Sequence, residues 1–152
     1  MSATAGAGGA QDLQFATLAA GNGLYEVEAA RLALTRATRS DVREFAQMLA
    51  DHHTVTNREL ASIANGMGLS VPAMLPADKQ IKLNLLSAAS GPEFDRRFLA
   101  VTGIEDHQAD IALYERASRE VQSTQLQTFA GRTLPALQMH LRAARSLAGS
   151  PR

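Results

Sequence analysis

Apolar and polar positions alternate along this chain at spacings of three and four, the pattern of amphipathic helices. The first stripe runs Phe15, Ala19, Asn22, Glu26, Ala29 and Ala33, with Asp12 placed to cap its helix. Asn22 and Glu26 are polar members of an otherwise apolar face. Gly21-Asn22-Gly23 interrupts the same stretch, and each glycine inside a helix costs roughly 1 kcal/mol relative to Ala. Close approach of a neighbouring helix accounts for them; backbone freedom one turn before Glu26 is the other reading. Arg39-Ser40 reads as a short turn, with Ser40 capping a second helix. Its stripe is Val42, Phe45, Leu49, His52, Thr56, Glu59/Leu60 and Ile63, and Asn65-Gly66-Met67-Gly68 forms a left-handed stop. Such a short link makes the two helices an antiparallel hairpin.

Residues 69–91 break this rhythm. Pro72 and Pro76 interrupt the chain, and Pro76 opens a short helix to about Ala89 whose Ile81, Leu85 and Leu86 suit a bundle surface. A connection of this length returns the chain from one end of a bundle to the other. Gly91-Pro92-Glu93 then starts a helix of about 30 residues with the stripe Phe94, Arg97/Phe98, Val101, Ile104, His107, Ile111 and Tyr114. Thr124-Gln125-Leu126-Gln127 reads as a capping box for a last helix. Leu126, Phe129/Ala130, Thr133, Leu137, His140/Leu141, Ala144 and Leu147 form its inner face, and Pro135 bends it without ending it. The expected fold is all-α: a four-helix bundle over residues 12–148, made of two antiparallel hairpins joined by a long crossover with an extra short helix. Residues 1–11 read as a flexible leader and 149–152 as a tail. Leu24-Tyr25-Glu26 recurs as Leu113-Tyr114-Glu115, and Val42-x-x-Phe45-Ala46 as Leu126-x-x-Phe129-Ala130, a weak echo between the hairpins.

Composition narrows the chemistry. At 152 residues the chain is the size of one domain, and 45% apolar with 5% aromatic residues favours packed helices. Fifteen basic residues balance fifteen acidic ones, so no net field holds nucleic acid or an anionic membrane. The absence of cysteine removes thiolate zinc sites, iron–sulfur clusters, thiol catalysis and disulfides. No apolar run approaches the ~18–20 residues of a membrane span.

The chain has four histidines, and His52, His107 and His140 lie on inner stripes. Height along the bundle follows from distance to each turn. Glu26 lies about 13 residues before the Arg39-Ser40 turn and His52 about 12 after it, so antiparallel packing brings them level within ~2 Å. His107 and His140 lie about 16 and 17 residues either side of Ser123, which makes them level too. Helix three has His107 near its midpoint, so the pairs meet mid-bundle whichever way that helix runs. One carboxylate and three imidazoles buried without partners are costly, whereas a transition-metal ion satisfies all four. Glu26, His52, His107 and His140 are therefore the expected ligands of one ion: zinc, copper, iron or manganese. The competing reading is a metal-free polar layer, fixing helix register in a structural or partner-binding bundle. His53, about 100° round the helix from His52, is expected at the surface or behind the ligands. No Glu-x-x-His occurs, which argues against a di-iron carboxylate centre. No Cys-x-x-Cys-His accompanies the few aromatics, which argues against haem. Nor does any nucleophile spacing or phosphate loop point to an enzyme. Mixed charge on all helices suits a monomer or a modest dimer equally.

Three segments carry a resemblance: Phe45-Ala-Gln-Met-Leu-Ala-Asp51-His52, Glu93-Phe94-Asp95, and Leu134-Pro135-x-Leu137-x-x-His140-Leu141. Together they resemble a bacterial family of domains of unknown function, described as outer-membrane or periplasmic proteins with a ferritin-like helical fold, over about residues 12–148. The resemblance implies a four-helix core with one long crossover and an exported protein, and it brings no activity. Met1–Ala10 has neither the basic start nor the apolar middle of a signal peptide. The leader expected is one left after signal removal, with a cytoplasmic location as the alternative.

Overall fold

The computed structural model describes residues 9–150, and among them it contains helices and no strand. α1 spans Ala10–Arg36, α2 Ser40–Gly66, α3 Ala77–Ser87, α4 Gly91–Arg97, α5 Asp106–Glu120 and α6 Thr124–Ala148. A π-helical segment, Phe98–Glu105, joins α4 to α5, so that Gly91–Glu120 runs as one long helix. α1 packs chiefly on α2 and α5 on α6, with α1 against α5 and α2 against α6 closing the bundle. This is the expected pair of hairpins. No helix among the described residues is long and apolar enough to cross a membrane.

Two buried aspartates tie the ends together and fix the direction of the third long helix. The Asp12 carboxylate, fully buried, accepts from the backbone N–H of Gln122 at 2.7 Å and of Ser123 at 3.2 Å. The start of α1 is thus pinned to the end of α5. Asp95 does the same at the other end, accepting from the N–H of Thr38 and of Arg39, each at 2.9 Å. The long third helix therefore runs antiparallel to α1, a choice that the sequence left open. The crossover, residues 67–90, travels the length of the bundle with α3 laid on α1. Asp12 was expected to cap α1; that helix begins at Ala10 with no side-chain cap, and the aspartate serves the α5–α6 turn instead. Residues 10 and 11 of the expected leader are helical, whereas residues 1–8, and 151–152 of the tail, lie outside the described residues.

Other local signals play out nearby. α2 closes as expected: Gly68 takes φ +74°, and the N–H of Leu69 bonds the Ala64 carbonyl at 2.9 Å while that of Gly68 bonds Asn65 at 3.1 Å, the reciprocal pair that ends helices at a left-handed residue. The α6 cap sits one residue before the expected box: Ser123 Oγ accepts from the N–H of Leu126 at 3.2 Å. α6 passes Pro135 as one helix. The glycines of α1 answer to packing. A Cβ on Gly23 would clash with Asn57 Oδ1 of α2, and one on Gly21 would lie 3.2 Å from Pro76 of the crossover. α3 turns Lys79, Lys82, Leu83 and Leu86 inward and leaves Ile81 and Leu85 exposed. The lysines take the inner stripe because acids of α5 face it: Lys82 pairs with Asp106.

The core divides into two apolar halves. Tyr25, Phe45, Phe94 and Phe98 dominate one, and Phe15, Tyr114, Phe129 and Leu60 the other. Between them lies a layer of buried polar side chains.

Candidate metal centre

Each side chain of this layer is placed by its own helix. Three turns of α-helix take about 10.8 residues, so the inward direction of α2 passes from Val42 to His53, and on to Leu60 and Ala64, all buried. The π segment widens the next helix to i→i+5 bonding, as in the N–H of Asp106 to the Val101 carbonyl. Thr102 and Gly103 thereby replace the expected Val101 and Ile104 inside the bundle. A Cβ on Gly103 would lie 2.8 Å from the Cβ of Ala144, so glycine is what allows α6 so near. Thr102, fully buried, holds Tyr25 through hydroxyls 3.0 Å apart and accepts from His107 Nδ1 through its carbonyl at 2.9 Å. π turns are frequent at functional sites, and here one sets the ring of a candidate ligand.

The imidazoles of His53, His107 and His140 come together, with one nitrogen of each within 4.8 Å of the others, and all three residues are buried. His107 Nε2 lies 3.3 Å from His140 Nδ1, the edge length of roughly 3.3–3.4 Å that tetrahedral metal–nitrogen bonds of about 2.0–2.1 Å produce. His53 Nε2 makes no hydrogen bond, and neither does Glu26 Oε1, which faces it at 3.9 Å; both atoms are buried. Three imidazole nitrogens with a carboxylate alongside form a donor set suited to a borderline transition-metal ion. The two unsatisfied atoms are what such an ion would engage.

Of the residues expected from sequence, Glu26, His107 and His140 are buried in this layer. His52 is exposed at its edge, with Nδ1 2.8 Å from His140 Nε2 and the two rings stacked at 5.0 Å. His53, expected at the surface, is the buried member of the pair, 4% exposed.

Burial disfavours charge on these imidazoles. Burial lowers the pKa of His53 well below the usual imidazole range, with the neighbouring imidazoles adding to it. Burial lowers His140 to about 3, helped by His107 and His52. Burial also lowers His107, against the opposing hydrogen bond to Thr102. The rings are therefore neutral at neutral pH, each with one nitrogen lone pair. The Glu26 pKa is raised well above the ordinary carboxylate range, first by burial and then by Asp110 and Asp106, which disfavours its charged form. Asp110 rises to about 6 through burial, restrained by the amide of Asn22, which donates to it at 2.7 Å. A cavity of about 60 Å³ lined by Asn22, Lys79, Lys82, Asp106 and Asp110 leads inward to Glu26.

Comparison with known proteins agrees with the helical architecture. The profile of DUF4142, a domain of unknown function, matches residues 1–147. The crystal structure of a DUF305 fragment from Deinococcus radiodurans superimposes with a TM-score of 0.81 at 15% identity, covering 93% of this chain and 97% of that one. At that identity the likeness speaks for the fold. No curated protein matches the chain.

Proposed function

The chain belongs to the DUF4142 family, and within that family of unknown function we propose that it binds a single transition-metal ion. In this reading His53, His107 and His140 supply the nitrogens, Glu26 a fourth donor after releasing its proton, and His52 stands at the rim of the site. The observation that carries it is the facing pair of buried, unsatisfied atoms, Glu26 Oε1 and His53 Nε2, beside two imidazoles at ligand spacing. The metal-free polar layer draws support from the bonds linking His52, His140, His107 and Thr102. It leaves those two atoms without partners, a cost of about 1–3 kcal/mol each, and so is the weaker reading.

We place this role in the bacterial envelope, as metal buffering or a response to metal stress; the resemblance in sequence supports that location. The test is thermal unfolding of chelator-stripped protein with and without added zinc or copper. An ion at a hundred times its Kd stabilises by about 2.7 kcal/mol, or roughly 5–11 °C for a chain of this size. An unchanged melting temperature with every metal tried would leave the polar-layer reading standing.

A further inference from the structure

The hydrogen bonds around His140 have only one consistent direction. A carbonyl oxygen only accepts, so the hydrogen between His107 and Thr102 sits on His107 Nδ1, 2.9 Å from the Thr102 oxygen. In a neutral ring this leaves the lone pair on Nε2, which faces His140 Nδ1 at 3.3 Å. With no ion between them, two lone pairs in that position would repel, so His140 Nδ1 would then carry its ring's hydrogen. His140 Nε2 is then an acceptor, and His52 Nδ1 donates to it across 2.8 Å. Without a bound ion, the hydrogen-bonded chain would run from His52 through His140 and His107 to the Thr102 carbonyl, with each of these three rings in its Nδ1–H form.

This form cannot take the ion on both inner nitrogens, because His140 Nδ1 is a donor. We infer that His52 is a positioning residue for the metal centre, accepting from the outer N–H of His140 once the inner nitrogen of His140 turns its lone pair to an ion. The inference rests on the metal-binding reading above. The proton balance closes: His140 Nδ1 gives one proton to solvent, His140 Nε2 takes one from His52 Nδ1, and His52 Nε2 takes one from solvent. Each ring stays neutral. Exposure of His52 is what makes the last exchange possible. His107 needs no such partner change, since its outer N–H is already held by Thr102. An outer acceptor of this kind orients a ligating imidazole and raises its basicity.

The test uses zinc as the probe on chelator-stripped wild type, His52→Ala and His52→Gln, with imidazole nitrogens followed by NMR. In the wild type, zinc is expected to move the His140 hydrogen from Nδ1 to Nε2 and to leave His52 in its Nε2–H form. Zinc affinity is expected to fall about 10–100-fold in His52→Ala and to recover largely in His52→Gln, whose amide oxygen accepts from the same N–H. Equal affinity in wild type and His52→Ala, or a His140 hydrogen that stays on Nδ1 in zinc-loaded wild type, overturns this inference alone. Failure of the wild type to bind zinc, copper, iron or manganese overturns the metal reading and this inference with it.

Discussion

The carboxyl of Glu26 separates a metal centre from a structural polar layer when it is replaced by leucine in protein stripped of metal. Glu26 is 1% exposed, and its Oε1 has no hydrogen-bond partner. Burial raises its pKa and disfavours its charged form, and the substitution removes an unsatisfied polar group. Leaving such a group buried costs about 1–3 kcal/mol, and leucine fills similar space with apolar surface. Ion-free Glu26→Leu is therefore expected to be more stable by about 1–3 kcal/mol. At ~2–4 °C per kcal/mol for a chain of this length, its melting temperature should rise by roughly 2–12 °C. Circular dichroism melts give the temperature, and urea unfolding with a shifted midpoint and an unchanged m-value confirms the change in stability. With saturating zinc the order should close or reverse, because the variant loses a donor and gains less from the ion. Destabilisation of the ion-free variant by 2 kcal/mol or more would refute the reasoning. It would show that the carboxyl is a bonded member of a metal-free layer, whose removal strands its partners.

Two further expectations concern the bundle around the site. His140 falls from 6.5 to about 3 on folding, so stability present above pH 6.5 is lost as pH falls toward 3. At pH 4.5 this amounts to roughly 3 kcal/mol. Melting temperatures of the ion-free protein between pH 7 and pH 4 check the fall, which should be shallower in His140→Leu. Gly103→Ala sets a methyl 2.8 Å from the Ala144 Cβ. Overpacking of about 1–3 kcal/mol outweighs the ~1 kcal/mol gain in helix propensity; the variant should melt lower, and Ala144→Gly in the same chain should restore most of the loss.

The helices were legible because their apolar stripes are long, and the hairpins because Arg39-Ser40 and Ser123 leave no room for another connection. Spacing also carried Glu26, His107 and His140 into one layer. It erred by one residue on α2, where steps of three and four from Val42 reached His52 while the true turn of ~3.6 residues reaches His53. The later residues held the signal: Leu60 and Ala64 continue the line through His53, whereas Thr56 and Ile63, on the line through His52, are only half-buried. The π segment was not legible, because a widened turn has no periodicity of its own within eight residues. Nor could local sequence show that Asp12 and Asp95 serve turns about 110 and 57 residues away; their caps exist only once the third helix lies antiparallel to α1.

The most direct measurement of the central claim is the metal content of untagged protein loaded with zinc or copper and then dialysed, beside a His53→Ala/His107→Ala variant treated alike. The account predicts one ion per chain in the parent and none in the variant. Equal metal in both, or none in the parent with any of the four candidate metals, would contradict it.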